Sequence, residues 1–320
     1  MSDRTIRVEH MKKTYPGDVT AVADVTLNVD SGQIFGFLGP NGAGKSTLVK
    51  ILTTLALPTS GSARVGGYDV IEEAGDVRRI SGVALQEIGL DPLMKPLELL
   101  TLQGQLFNMR TADAKKRAGE LLELVSLTDA ADRRAGTFSG GMKRRLDLAL
   151  ALVHAPEILF LDEPTTGLDP ASRRDVWEEV KRLNRQLGMT IFLTTQYLEE
   201  ADELADTIAI IDQGQIAAEG SPAGLKASFG EESINIDLAD AETAGLAAQQ
   251  LAGLTENIQT DRSTVRVYLP QAAQAVPKVV DTLRGASLEL VSLTLTQPTL
   301  DDVFLQVTGS RIKTTTPKLN

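Results

Sequence analysis

Residues 39–47 run Gly39, Pro40, Asn41, Gly42, Ala43, Gly44, Lys45, Ser46 and Thr47, a fit to G-x-x-x-x-G-K-[ST]. Glycines at these positions let backbone N–H groups wrap around phosphates, and a helix beginning at the end of the loop adds partial positive charge. Lys45 can reach the β and γ phosphates, and Ser46 can ligate Mg²⁺. A second segment, Ile158-Leu159-Phe160-Leu161-Asp162-Glu163, is apolar and ends in two carboxylates. Asp162 is placed to support Mg²⁺ beside Ser46. One residue further on, Glu163 can polarise a water for attack on the γ phosphate, giving hydrolysis without a covalent intermediate. The third segment, Phe138-Ser139-Gly140-Gly141-Met142-Lys143-Arg144-Arg145, puts a serine and two glycines just before a predicted helix. That is a second anion-binding end. One nucleotide already fills the first loop, so Ser139 and Gly141 are expected to cap a γ phosphate held by another subunit; a simple N-cap is the competing reading.

These residues need elements to hold them. Ile34 to Leu38 is continuously apolar, as a strand buried on both faces is, and it leads into the glycine loop; Thr47 to Leu55 reads as helix. Before it, Ile6 to Val29 alternates around Pro16-Gly17, which predicts antiparallel strands joined by a turn. From about 90 to 136 the chain is rich in helix formers (Leu97 to Met109, Ala112 to Leu124), a predicted helical insertion. Helix from Gly141 to His154, strand from Ile158 to Leu161, helix from Arg173 to Leu187 and strands at Thr190 to Thr194 and Ile208 to Ile211 follow. Such alternation implies a mostly parallel sheet covered on both faces. Beyond Gly220-Ser221-Pro222, strands near Ile234 to Leu238, Val265 to Leu269 and Leu288 to Leu295 alternate with helices at Ala241 to Leu251 and Gln271 to Leu283. The expected domains are 1–222, then an α+β appendage at 223–309 and a flexible tail at 310–320.

Composition narrows the function. The 320 residues carry 32 Lys plus Arg against 43 Asp plus Glu, a net charge of −11. That opposes a nucleic-acid binder, whose affinity rests on excess positive charge. The run Lys143-Arg144-Arg145 therefore reads as a solvated helix face. With no cysteine, thiolate metal centres are excluded, and histidine only at 10 and 154, far apart in sequence, argues against a His-based zinc centre. His154 reads as a packed or capping residue. The N-terminus lacks a secretory apolar core, and no apolar run is long enough to span a bilayer. Work at a membrane therefore requires a second chain that crosses it.

The three segments, in this order, resemble the ATP-binding cassette of ABC transporters over residues 4–220, with Ser139-Gly140-Gly141 as the signature. The resemblance implies an α/β P-loop NTPase with an antiparallel β subdomain and a helical insertion, using ATP and Mg²⁺. It implies further roles: Tyr15 stacking on adenine, Gln86 touching Mg²⁺ and the membrane subunit, and Asp169 of Gly167-Leu168-Asp169 at a dimer interface. Most cassettes carry a histidine after the last core strand, where this chain has Gln196. Its amide can donate to a γ phosphate but carries neither proton nor charge. Gln196, the segment Gly140 to Leu148, and Gln297 to Leu305 resemble the daunorubicin-resistance type of exporter ATPase. The implied protein is a head-to-tail homodimer or pseudo-dimer at the cytoplasmic face of a membrane, driving export through a separate permease. A soluble ABC-type ATPase acting on ribosomes or DNA is the rival, and a low-turnover regulatory module a second one.

Overall fold

Alternation around Pro16-Gly17 resolves into β1 (Arg4–Tyr15) and β2 (Val19–Asp30), paired antiparallel with Tyr15 opposite Val19. The computed structural model describes residues 4–229, 232–269 and 271–309. One unit is built on residues up to Pro222 and a second spans Ala223–Gln306. The tail expected at 310–320 lies outside the described residues.

In the first unit β3 (Ile34–Leu38) has all five residues buried and leads through the glycine loop into α1 (Lys45–Leu52). There follow β4 (Ser60–Val65), β5 (Tyr68–Asp69), α2 (Ala74–Ile80) and β6 (Ser81–Ala84). The helical insertion contains α3 (Pro96–Leu106) and α4 (Thr111–Leu124). Pro96 opens α3 and the Glu98 carboxylate accepts from the Lys95 N–H at 2.8 Å, so local chemistry sets that start. Next come α5 (Gly140–Ala151), β7 (Ile158–Asp162), α6 (Pro170–Leu187), β8 (Thr190–Thr195), α7 (Leu198–Leu204), β9 (Thr207–Asp212) and β10 (Gln215–Gly220). Gly188 ends α6 at φ +63, a left-handed conformation that glycine adopts without penalty.

These strands form one ten-stranded sheet, ordered β5-β4-β1-β2-β10-β9-β3-β8-β7-β6. From β9 to β6 every neighbour is parallel; β5, β4, β1 and β2 are the antiparallel part. The expected α/β architecture is present. Strands β4, β6 and β10 carry no clear apolar signal in the sequence: Ser-Gly-Ser-Ala-Arg-Val, Ser-Gly-Val-Ala and Gln-Ile-Ala-Ala-Glu-Gly. They form because a neighbouring strand offers its edge. On one face of the sheet Phe192 of β8 lies against Phe35, Phe37 and Phe160, with ring centroids 5.4, 5.7 and 5.8 Å away.

After β10 the chain forms α8 (Pro222–Phe229), β11 (Ser233–Leu238), α9 (Ala241–Leu251), β12 (Ile258–Asp261), β13 (Thr264–Tyr268), α10 (Ala272–Gly285), β14 (Leu290–Thr296) and α11 (Leu300–Thr308), the second unit running from Ala223 to Gln306 within α11. The antiparallel sheet of this unit has the order β12-β13-β11-β14, a split βαβ arrangement. The short, mostly polar β12 escapes sequence reading and exists as the hairpin partner of β13.

Phe192 is fully buried among three other rings. Phe192→Ala should lower the stability of the chain by about 3–5 kcal/mol, read from urea unfolding curves; a loss below about 1 kcal/mol would mean that the ring cluster is not the packing centre of this sheet.

Candidate active site

The loop after β3 has the conformation its glycines permit. At Gly39 an added Cβ would strike the Ile211 carbonyl oxygen, and at Gly44 it would strike that of Ala21. Gly44 also sits at φ +109, where a side chain is strained. Gly42, at φ +84, faces open space. The loop thus exposes backbone at the start of α1, whose first N–H groups have no partner within the helix. An anionic phosphate suits this cradle. Ser46 and Thr47 lie in the first turn of α1 and Asn41 is exposed on the loop. Lys45 is only 4% exposed; its ammonium donates to the carbonyls of Gly39 (2.8 Å) and Pro40 (3.0 Å) and pairs with Glu163 Oε1 at 3.1 Å.

β7 delivers the two carboxylates. Asp162 Oδ1 accepts from Ser46 Oγ at 3.1 Å and from Thr194 Oγ1 at 2.6 Å. A hydroxyl and a carboxylate oxygen side by side are hard donors of the kind Mg²⁺ takes alongside water and phosphate. Glu163 turns out of the strand at φ +47. Its N–H donates to the Thr194 carbonyl (3.1 Å) and hydroxyl (3.0 Å). Its Oε2 accepts from Thr166 Oγ1 at 3.0 Å and from the amides of Gln86 and Gln196, each at 3.4 Å. Lys45, Ser46, Gln86, Asp162, Glu163 and Gln196 are therefore joined in one network.

Tyr15, Ser139 and Asp169 make local contacts instead. Tyr15, at the end of β1, is partly exposed with the Lys13 ammonium 5.0 Å from its ring centroid. Ser139 Oγ caps α5 by accepting from Met142 N at 3.2 Å, with Ser139 and Gly140 exposed and Gly141 buried against Ser172. Asp169 caps α6, accepting from Ala171 N, Ser172 N and Ser172 Oγ, and these bonds hold its carboxyl below the usual range. His154 is packed, its ring stacked on Phe107 and its Nε2 3.0 Å from the Ser81 carbonyl.

One expectation needs correction. Residues 143–145 do not form a solvated basic face: Arg144 is 2% exposed and turned towards the ends of β6 and β7, and the half-buried Arg145 donates from Nη1 to the carbonyls of Val125 and Ser126. Sequence reasoning also missed Thr194, Thr166 and Glu200. Glu200 Oε1 accepts from Thr165 Oγ1 (2.8 Å) and Trp177 Nε1 (2.9 Å), and complete burial pushes its carboxyl above the ordinary range. A hydroxyl ending an apolar strand, or an acid inside a helix, gives no signal without the sheet register.

The ABC transporter family pattern matches residues 22–166, and that of the ATP-binding protein DrrA1-3-like C-terminal domain matches residues 220–308. Daunorubicin resistance ATP-binding protein DrrA3 of Streptomyces coeruleorubidus is 43% identical over 309 residues, 97% of each chain. The chain belongs to the ABC-transporter ATP-binding subunits of this daunorubicin-resistance type. It is an ABC-type ATPase. Nod factor export ATP-binding protein I of Paraburkholderia xenovorans is 38% identical, covering 98% of this chain and all of that protein. Among solved structures, the ATP-binding cassette MJ0796, a dimer bound to ADP and Pi after hydrolysis, aligns with a TM-score of 0.61 and 28% identity over 68% of this chain and 98% of that one.

Because burial raises the Glu200 carboxyl, the folded chain holds that proton to a higher pH than the unfolded chain does. Stability should therefore fall as pH rises from the ordinary carboxylate range through the raised value, then level off. Glu200→Gln removes this titration, so the variant should gain stability relative to the parent as pH rises above the ordinary carboxylate range in urea unfolding, whereas a constant gap would show that Glu200 titrates normally.

Proposed function

We propose that the chain is the motor subunit of an exporter, hydrolysing Mg-ATP at a site shared by two subunits and passing the movement to a separate membrane permease. The observation that carries this reading is the Glu163 carboxylate, held among Lys45, Gln86, Thr166 and Gln196. A triphosphate in the loop competes with Glu163 for the Lys45 ammonium. Relieved of that cation, Glu163 keeps only hydroxyl and amide donors, and its free lone pairs can polarise a water. The water oxygen attacks the γ phosphorus, its proton passes towards Glu163, and the bond to the β-phosphate oxygen breaks to give ADP and phosphate. Mg²⁺, held by Ser46 and Asp162 with Gln86 beside them, would neutralise charge on the β and γ oxygens. Gln196 is a neutral donor to the γ phosphate, and Tyr15 stacks on adenine.

Ser139 and Gly141, at the start of α5, and Asp169, at the start of α6, are assigned to the partner's nucleotide in a head-to-tail homodimer or pseudo-dimer. Two subunits gripping two nucleotides turn binding energy into closure, since those contacts exist only in the closed state. Among the described residues no helix is long and apolar enough to cross a membrane, in keeping with a subunit that sits at the cytoplasmic face through its permease. A groove of about 390 Å³ lined by Val83, Leu85, Leu90, Phe107 and Leu150 adjoins Gln86, Glu87 and Ile88 and suits an apolar permease segment. A drug or antibiotic is the cargo that the similarity to DrrA3 favours. Excess acidic charge argues against nucleic acid as a partner.

Lys45→Ala should weaken ATP binding by about tenfold or more. Glu163→Gln should keep ATP binding, lose at least about 10² in turnover, and elute as a dimer in ATP. A monomeric Glu163→Gln protein at saturating ATP would refute the shared site. Gln196→Ala should slow ATP turnover in a steady-state phosphate-release assay, and an unchanged rate removes Gln196 from the site.

A further inference from the structure

Arg144 is one of the largest fully buried side chains in the protein, and nothing in the hydrolytic reading uses it. Its guanidinium reaches three groups. Nη1 donates to the Leu85 carbonyl at 2.7 Å and to Asp147 Oδ2 at 2.9 Å, and Nη2 donates to the Asp162 carbonyl at 3.4 Å. The Leu85 carbonyl belongs to the peptide joining Leu85 to Gln86. The Asp162 carbonyl belongs to the peptide joining Asp162 to Glu163. One side chain from the helix that Ser139 opens thus grips the two peptides from which Gln86 and Glu163 emerge.

We propose that Arg144 is a positioning residue for hydrolysis, fixing both peptides so that the Gln86 amide and the Glu163 carboxylate meet in one place. Three observations support a role beyond charge balance. Glu163 sits at φ +47, a conformation a glutamate keeps only where its surroundings hold it. The Gln86 amide lies 3.4 Å from Glu163 Oε2, so a small rotation of either peptide would part them. Burying a guanidinium is costly, and here burial lowers its pKa while Asp147, Glu200 and Asp162 offset the effect. Asp147 completes the arrangement: 15% exposed, it is pushed up to about 6 by burial, against the lowering by Arg144. Here the planar fork of arginine reaches its three acceptors through two nitrogens held a fixed distance apart, whereas lysine keeps the charge but places all its donors on a single nitrogen.

The inference rests on the proposed role of Glu163, and the test separates the two. Steady-state ATP hydrolysis by the full chain is compared for Arg144→Lys, Asp147→Asn and Glu163→Gln, alone and combined. Arg144→Lys should lower kcat about tenfold or more with KM and ATP affinity within about threefold, the pattern of a lost transition-state arrangement. In the Glu163→Gln background the same change should alter the residual rate less than about threefold, because the group being positioned is gone. Asp147→Asn, which retains Arg144 and its carbonyl bonds, should cost a few-fold in kcat. An Arg144→Lys protein that melts like the parent and keeps its kcat overturns the proposal, as does an equal loss in both backgrounds. Should Arg144→Lys fail to fold, an unchanged kcat in Asp147→Asn overturns it alone. Full turnover by Glu163→Gln instead would defeat the reading of Glu163 itself.

Discussion

The buried ion pair between Lys45 and Glu163, 3.1 Å apart with side chains 4% and 5% exposed, is the constraint on which the rest of the site depends. A charge removed from water must be paired and hydrogen-bonded or it destabilises the fold. Glu163 meets that requirement by drawing on four separate stretches of chain: the glycine loop through Lys45, the loop after β6 through Gln86, Thr166 beyond β7, and Gln196 beyond β8. The geometry proposed for hydrolysis is thus also the geometry that satisfies a buried carboxylate. Displacing any one donor changes both.

That convergence is possible because β3, β7 and β8 run parallel and in register, with Leu38 opposite Thr195 and Asp162 opposite Thr194. Their carboxyl ends bring the glycine loop, the acidic pair and the Gln196 turn to one edge, where open α/β sheets bind ligands. A slip of one residue in β8 would send Thr194 to the opposite face and leave Asp162 and the Glu163 N–H without their shared hydroxyl. The four phenylalanines on one face resist such a slip, since each ring position depends on the same register. Packing and chemistry are therefore specified together.

What could be read from the sequence divides along the same physical line. The glycine loop, the acidic pair and the serine-glycine helix start are local patterns, each complete within nine residues or fewer, so spacing alone exposes them. Strand β3 is legible because burial on both faces leaves it wholly apolar. Thr194 and Glu200 are not legible, because their roles arise from partners across the fold. Arg144 misleads most: its neighbours Lys143 and Arg145 suggest solvent, and only the helix orientation relative to β6 and β7 shows the side chain turned inward. Strands β4, β10 and β12 fail to declare themselves because a polar, half-exposed strand is stabilised by the ladder it joins rather than by its own pattern.

Leu85 connects this network to the outside. Leu85 is one of the residues lining the groove, while its carbonyl is bonded by Arg144, which also reaches the Asp162 carbonyl next to Glu163. If the proposed permease segment fills the groove, it meets Leu85, whose carbonyl shares the Arg144 guanidinium with the peptide that precedes Glu163. Such a path transmits information only to the degree that docking stabilises one arrangement of that peptide over another. The coupling free energies usual between linked sites are about 1–3 kcal/mol, within the range of one charge-assisted hydrogen bond gained or lost. On the proposed function, one guanidinium lies between the groove and the carboxylate, and its bonds are of that strength.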